Sequence, residues 1–446
     1  MRADRELDRE VSQFGRVSQR AGGIFRGLRF LTAGESHGPA LTVIVEGLPA
    51  GLTVDRAAID ADLKRRQGGY GRGGRMKIES DSVEVLSGIR HGKTLGSPVS
   101  LLIRNKDHAN WADVMSPDPQ PPEAKKRRVL KHPRPGHADL SGALKYLTDD
   151  LREVLERASA RETTARVAAG ALAKVVLAAV GIEVRSHVLR IGAAATSVES
   201  IPFEGLAAVE ESPVRCVEPE AATAMIAQID KAKKAGDTIG GVFEVVVRGV
   251  PPGLGTFAHW DRRLDGRLAQ ALMSIHAVKA VALGAGFRGG DTPGSAFHDE
   301  ILFDDDKGLH RPSNRAGGLE GGITNGEELR AQAVVKPIPT LLIPLRSVDL
   351  RTKEPQMASV ERSDTCVVPA AGVVGEAMVA WVLADALLEK FGGDSLTELL
   401  EHVEGTRRLW RELLSRRPRR APRRCRCAPP TPSAAPSCAG PPSATE

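Results

Sequence analysis

Val43-Ile-Val-Glu-Gly-Leu-Pro-Ala-Gly-Leu52 returns further along the chain as Val245-Val-Val-Arg-Gly-Val-Pro-Pro-Gly-Leu254. Each copy is an apolar, β-branched run, then a Gly/Pro turn, then a stretch of helical character. The echo points either to two related halves or to a common turn used twice. Around it, the strand-like runs Leu41-Thr-Val-Ile-Val45, Val99-Ser-Leu-Leu-Ile103 and Val242-Phe-Glu-Val-Val-Val247 are interleaved with amphipathic helical stretches. Leu140, Leu144, Leu147, Leu151, Val154 and Leu155 recur at helical spacing, as do Leu264, Leu268, Leu272 and Ile275 after a cap expected at Asp261. Two further stretches read as core helices: Arg166 to Val180, with Gly181 as C-cap, and Val373 to Leu388, with Met378 and Trp381. The chain mixes α and β.

The 446 residues carry a formal charge of +6, which would suggest a nucleic-acid partner if it were spread over the fold. It is not. Residues 406 to 446 hold ten Arg against Glu412 and Glu446, and residues 1 to 27 hold six Arg against four acids. With +8 and +2 at the ends, the total leaves −4 for residues 28 to 405. An acidic body argues against a general nucleic-acid binder. Of five cysteines only Cys216 and Cys366 lie in the body, so there is no disulfide framework. The apolar stretch from Val167 to Ile182 carries Lys174 and falls short of the roughly 20 residues a spanning helix needs. The N-terminus has no apolar signal region, and the expectation is a cytoplasmic protein without membrane attachment. Residues 1 to 27 read as a disordered extension and 406 to 446 as a disordered tail, Arg-rich and then Pro/Ala/Ser-rich, which leaves residues 28 to 405 as the body of the protein.

Chemistry concentrates in a few loops. Leu31-Thr-Ala-Gly-Glu-Ser-His-Gly38 and Arg134-Pro-Gly-His-Ala-Asp139 each place a histidine beside glycine. Between them, Lys64-Arg-Arg-Gln-Gly-Gly-Tyr-Gly-Arg-Gly-Gly-Arg75 packs five cations and five glycines into twelve residues. Glycine lets backbone approach a ligand closely, and Arg forks match phosphate and carboxylate oxygens in pairs. Such a loop suits an anion; the alternative is an Arg-Gly segment that binds RNA. No dinucleotide fingerprint follows a strand, so a dedicated nicotinamide site is unsupported.

These blocks together resemble chorismate synthase. The resemblance runs from Leu28 to about Leu400, through Thr32-Ala-Gly-Glu-Ser-His-Gly38, the Arg-rich loop, Ser87-Gly-Ile-Arg-His-Gly-Lys-Thr94, Asn105-Lys-Asp-His108, His132-Pro-Arg-Pro-Gly-His-Ala-Asp139, Ser159-Ala-Arg-Glu-Thr-Thr164, Gly236-Asp-Thr-Ile-Gly-Gly241, Gly317-Gly-Leu-Glu-Gly-Gly-Ile-Thr-Asn-Gly326, Lys336-Pro-Ile-Pro-Thr340 and Glu361-Arg-Ser-Asp364. It implies an α+β four-layer sandwich, helices between two antiparallel sheets, with internal duplication, assembled as a homotetramer. It also implies a lyase that makes chorismate from 5-enolpyruvylshikimate 3-phosphate by 1,4-elimination, with reduced FMN (FMNH2) and no net redox change. The C6 hydrogen lost in that reaction is not acidic, so no side-chain base of ordinary pKa can lead it. The cofactor does the hard step, while the protein orients and tunes it.

The resemblance assigns roles residue by residue. Arg66, Arg72, Arg75, Arg161 and Arg362 hold the substrate's phosphate and carboxylates. His37 meets the leaving phosphate, His137 protonates and orients the reduced flavin, and Asp364 relays the proton that flavin N5 takes from C6. Flavin contacts fall on Arg157, Ala158, Ser159, Ala160, His276, Ala277, Gly321, Lys336, Pro337, Ile338, Pro339, Thr340 and Arg362. There are two departures. Ala158 stands where the family often has Ser, and His276 where Gln or Asn is common. No metal is expected. A flavoprotein oxidoreductase and an RNA-binding protein are the readings from other classes; the first would consume reductant stoichiometrically and the second would show a steep salt dependence.

Overall fold

The computed structural model describes residues 27–74, 78–119, 128–197, 200–305, 308–361 and 363–415. The chain divides into two compact units, Met1–Val403 and Glu404–Glu446.

The first sheet contains β1 (Arg29–Ala33), β2 (Ala40–Glu46), β3 (Glu84–Ser87) and β4 (Val99–Arg104), in the order β1-β2-β4-β3; burial alternates along β1, β2 and β4, whereas β3 is exposed throughout. Leu41, Val43 and Val45 of β2 and Val99, Leu101 and Ile103 of β4 are buried on one face, while Ile44 and Glu46 point the other way to solvent. The second sheet contains β5 (Glu183–Ile191), β6 (Ala194–Ala195), β7 (Gly241–Arg248), β8 (Val278–Leu283) and β9 (Leu329–Val335), ordered β8-β9-β7-β5-β6. Every pairing in both sheets is antiparallel.

The helices are α1 (Arg56–Gln67), α2 (Asp139–Tyr146), α3 (Leu151–Ala158), α4 (Thr163–Ala179), α5 (Pro219–Lys234), α6 (Leu264–Met273), α7 (Val368–Phe391) and α8 (Leu396–Ser415). Helix α4 packs on β2 and on α7, and α7 packs on β5 and β7. The two helices approach through small residues. A Cβ at Gly170 would lie 2.3 Å from that of Ala377, and one at Gly375 would lie 2.4 Å from the Phe243 ring. Helix α7 has the length and hydropathy of a membrane span, yet nine-tenths of its apolar window is buried in the protein. It is apolar all round because it is packed on all sides.

The two copies of the sequence echo make the same contacts. Thr94 Oγ1 accepts the Leu52 N–H at 2.9 Å and donates to Pro49 O at 2.6 Å. Thr324 Oγ1 accepts the Leu254 N–H at 2.8 Å and donates to Pro251 O at 2.7 Å. Each threonine ends a two-residue hairpin, Ile89–Arg90 with Lys93–Thr94 and Leu319–Glu320 with Ile323–Thr324.

Three local expectations are corrected. The tail read as disordered from residue 406 begins as helix, since α8 runs from Leu396 to Ser415. The apolar spacing from Leu140 to Leu155 is not one helix: Leu147 takes φ +56°, and Asp150 restarts the chain as α3 by accepting the Arg152 N–H at 3.0 Å. Leu144 and Leu147 are left exposed. Asp261 does not cap α6. It lies in the turn Trp260–Arg262 paired with His259, and the Leu264 N–H that opens the helix is taken by Gly322 O at 3.0 Å.

Candidate active site

The catalytic candidates sit on the loops that leave strand and helix ends. His37 is in the β1–β2 loop, Arg66 in the last turn of α1, Arg161 in the turn Ala160–Glu162 that leads into α4, and Asp364 shortly before α7. Arg72 Nη1 lies 3.3 Å from Asp364 Oδ2, and Asp364 Oδ1 accepts the Gly73 N–H at 2.6 Å. Arg75 and Arg362 lie outside the described residues.

Arg66 and Arg161 are buried and share acidic neighbours. Arg161 Nη1 reaches both oxygens of Asp81 at 2.7 and 2.8 Å, and its Nε donates to Asn105 Oδ1 at 2.8 Å. Arg66 Nε donates to Thr163 Oγ1 and Nη2 to Ala160 O, each at 2.9 Å. One nitrogen of each guanidinium, Arg66 Nη1 and Arg161 Nη2, is buried without a hydrogen-bond partner; the carboxylates of Asp81 and Glu79 stand off at 3.7 and 3.6 Å. Burial pulls Arg66 down to about 9, opposed by Asp81 and reinforced by the charges of Arg161 and Arg72. Each guanidinium therefore keeps one buried donor nitrogen unused.

Each histidine of interest is gripped through Nδ1 by a buried carboxylate. Glu156 Oε1 and Oε2 lie 2.9 and 3.0 Å from His37 Nδ1, and Oε2 also accepts the His37 backbone N–H at 2.8 Å. Burial would raise the Glu156 carboxyl, but the hydrogen bonds and charge of His37, with Arg152, hold it below its ordinary value. The His37 ring stacks on Trp111 at 3.9 Å. His137 Nδ1 lies 2.5 Å from Asp139 Oδ1, while Arg134 donates to both oxygens of Asp139 and to Thr340 Oγ1. Burial would raise the Asp139 carboxyl too, but His137 and Arg134 bring it well below the usual carboxylate range.

The flavin candidates cluster with these groups in most cases. Lys336 Nζ donates to Gly136 O, next to His137. The Lys336 N–H is bonded to the carbonyl of Ala277, a residue at φ +67°. His276 Nδ1 is buried without a partner; burial pushes the imidazole down to about 4, with Glu162 opposing and Arg166, Arg66 and His137 reinforcing. Ser159 Oγ accepts from Ser36 Oγ at 3.1 Å, tying this turn to the His37 loop. Arg157 is exposed and donates to Thr32 O and Gly34 O, bracing that loop. Ala158 can offer no side-chain hydrogen bond. Gly321 forms the turn of the Leu319–Thr324 hairpin with open space where a side chain would stand. Pro337, Ile338 and Pro339 fill the loop between Lys336 and Thr340, and Ile338 O is tied to Thr238 Oγ1 at 2.7 Å.

Comparison with known proteins decides the family. The chorismate synthase family model matches residues 28–388. The chain belongs to the chorismate synthase family. Chorismate synthase of Moorella thermoacetica is 58% identical over 386 residues, which cover 86% of this chain and all of that protein. That of Bacillus subtilis is 53% identical over 389 residues, with the same coverage. A crystal structure of a chorismate synthase superposes with a TM-score of 0.70 at 43% identity, covering 87% of this chain and 99% of that one. The enzyme is therefore a lyase that eliminates phosphate and the C6 hydrogen from 5-enolpyruvylshikimate 3-phosphate to give chorismate, within aromatic amino-acid biosynthesis.

Sequence reading missed Glu156, Trp111 and Asp81, and gave Asn105 no role although it opens the segment Asn105-Lys-Asp-His108. Glu156 is 119 residues from His37, and no local spacing links the two. Asp139, by contrast, stands two residues after His137 within the quoted motif.

Proposed function

We propose that chorismate synthase chemistry in this chain is carried by a cationic pocket of Arg66, Arg72 and Arg161, with Arg75 and Arg362, flanked by His37, His137 and Asp364. The pair of partnerless guanidinium nitrogens is the observation that carries this reading. A buried donor left unmade costs about 1–3 kcal/mol, and phosphate or carboxylate oxygens of the substrate would satisfy both. His37 then faces the departing phosphate, where an imidazolium offsets the growing negative charge. Asp364 takes up the proton lost from C6 at a carboxylate oxygen.

Reduced FMN fits the remaining groups. His276 Nδ1 is an orphaned donor or acceptor at the family's flavin position, and Lys336 brings a charge beside it for phosphate or an electron-rich ring. Ser159, Ala160, His276, Ala277, Gly321, the loop from Lys336 to Thr340 and Arg362 would hold it. When bound, it supplies the electron density that the carbon framework lacks as phosphate leaves. His137, with Nδ1 fixed by Asp139, holds a proton at its other ring nitrogen for that cofactor.

The same reading takes the fold as a duplicated four-layer sandwich. In its support, the order β1-β2-β4-β3 parallels β5-β7-β9-β8, and α4 and α7 lie between the sheets. A homotetramer is supported by an asymmetry between the halves. By the sequence echo Val246 corresponds to Ile44; Val246 is covered by Ile201, Phe203, Leu206 and Val209, whereas Ile44, Leu31 and Leu86 stand about half exposed. We place the enzyme in the cytoplasm, with residues 28 to 405 as the catalytic body and no nucleic-acid or membrane partner.

The test is an anaerobic assay of chorismate formation with oxidised FMN, with photoreduced FMN, and with NADPH added. Turnover is expected only with reduced flavin; equal turnover with oxidised flavin and no reductant would contradict the reading.

A further inference from the structure

We infer that Glu156 is the positioning residue of His37, fixing which ring nitrogen carries the proton and aiming the other edge of the ring at the substrate. The inference rests on the reading above that His37 meets the leaving phosphate. It starts from an arrangement that is more than a buried ion pair. Glu156 is 3% exposed, and its two oxygens make three contacts to one residue, two to the ring Nδ1 and one to the backbone N–H. An ionised carboxylate can only accept, so Nδ1 must carry a hydrogen in either charge state of the ring. The tautomer is thereby set. Among the described residues no hydrogen bond reaches Nε2, which leaves that atom for a ligand.

Other groups complete the clamp. Trp111 stacks on the ring at 3.9 Å with an interplanar angle of 25°, so the plane is fixed as well as the edge. The guanidinium groups of Arg128 and Arg152 lie over the Trp111 ring at 4.1 and 5.0 Å. Arg152 also approaches Glu156 Oε1 at 3.4 Å from the preceding turn of α3. His108 Nδ1 bonds the His37 carbonyl at 2.9 Å, and Glu35 lines the same cavity as Glu156. The charged and titratable groups around the pair include Arg128, Arg152, His108 and Glu35; Asp113, Asp118, Asp149, Asp150, Glu153 and Arg351 line the same cavity, and Arg152 Nη2 pairs with Glu361 Oε1 at 2.9 Å.

The experiment separates positioning from mere support of the loop. Glu156→Gln keeps the size of the side chain and an oxygen for the backbone N–H, but it withdraws the negative charge from the ring. Ring 15N shifts in [15N]histidine-labelled protein, with the His37 signal assigned by its loss in His37→Ala, should place the hydrogen of the neutral ring on Nδ1 in the unaltered enzyme and populate the Nε2–H tautomer in Glu156→Gln, whose amide can donate to Nδ1. kcat should fall on the order of tenfold in Glu156→Gln with KM little changed. Glu156→Asp retains a side chain that can only accept and should restore much of the Nδ1–H form. If Glu156→Gln does not fold, the smaller change expected in Glu156→Asp carries the same two readouts. His37→Ala with Glu156→Gln should be no slower than His37→Ala alone, because the glutamate acts through the histidine. An unmoved His37 tautomer, or losses that multiply in the double variant, overturns the inference. Normal turnover in His37→Ala would instead show that the underlying reading of His37 is wrong, and the inference would fall with it. That result is distinct from an inactive His37→Ala beside an unaffected Glu156→Gln, which overturns the inference alone.

Discussion

Asp364 accepts the backbone N–H of Gly73 at 2.6 Å while its other oxygen faces the Arg72 guanidinium at 3.3 Å, so one carboxylate both pins the Arg-Gly loop and sits among its cations. A Cβ on Gly73 would lie 2.6 Å from Ser363 O, which is why the loop needs glycine at this close approach. The Asp364→Asn variant separates the two uses of the side chain. The amide oxygen can still accept from Gly73, but the amide cannot take up a proton. Turnover should fall on the order of a hundredfold or more while substrate still binds. Near-normal turnover, with ligands bound and the fold intact, would return Asp364 to a purely structural ion pair.

Arg72 is part of the same contact, and its loss should read out on binding. Replacing it by Ala is expected to weaken substrate affinity by roughly 1.5 to 3 kcal/mol for the lost charged hydrogen bond, with FMN affinity nearly unchanged. Calorimetric titration of each ligand checks this. Collapse of FMN binding with substrate binding intact would assign the loop to the other ligand.

His276 is held neutral by burial, with a pKa pushed down to about 4. An uncharged imidazole with a free ring nitrogen does what a carboxamide can do, which accounts for Gln or Asn being acceptable at this place. His276→Gln should keep FMN affinity within a few fold. Between pH 5 and 8 the affinity of the unaltered enzyme should show no inflection from this residue, because the ring stays deprotonated throughout that range. Fluorescence titration of FMN across pH settles both points, and a large loss in His276→Gln would mean that the ring contacts the flavin in its charged form.

How much of this was legible in the sequence depended on whether a residue's partner was near it in the chain. Strands β2 and β4 follow from local alternation, β7 from its short apolar, β-branched run, and α4 and α7 from their apolar composition, because those signals arise within one element. The break at Leu147 was hidden, since apolar spacing continues across it; Leu147 ends α2 in the left-handed conformation, and Asp150 then caps the start of α3. Asp261 had the chemistry of a cap, but the carbonyl of Gly322, 58 positions from Leu264, took the N–H instead. His37 and the arginines were visible through the family motifs. Glu156 and Asp81 were not, because what gives them meaning is tertiary contact with His37 and Arg161.

The curated relatives are covered end to end by 86% of this chain, so the terminal segments have no counterpart in them. Removing residues 1 to 27, or everything after 405, should leave turnover within a few fold. Steady-state assays of the two truncated proteins test this. A truncated enzyme that folds normally yet loses turnover would assign those segments a role in catalysis.

Glu376 supplies the sharpest test of what holds the frame together. Its carboxylate is fully buried and contacts Arg65 Nη1 and Nη2 at 2.8 Å each, Lys174 Nζ at 2.8 Å, Ser186 Oγ at 2.7 Å and Arg215 Nη2 at 3.2 Å. One side chain thus joins α1, α4, β5 and α7, and Arg65 is the immediate neighbour of Arg66 in the substrate pocket. Burial would raise the carboxyl, but Lys174, Arg65 and Arg215 hold it well below the usual range. Glu376→Gln strands these cations, and removing one partner of a buried network costs about 3–5 kcal/mol. A depressed carboxyl contributes stability that is fully present above its unfolded pKa of about 4.3, and that contribution is lost as pH falls below it. Urea unfolding at fixed protein concentration should therefore show a large deficit for Glu376→Gln at pH 7. The deficit should shrink on acidification below about pH 4.3, because the wild-type enzyme loses a contribution the variant never had. Equal stability at pH 7, or a gap that stays constant down to pH 3, would show that the ion network does not carry the frame.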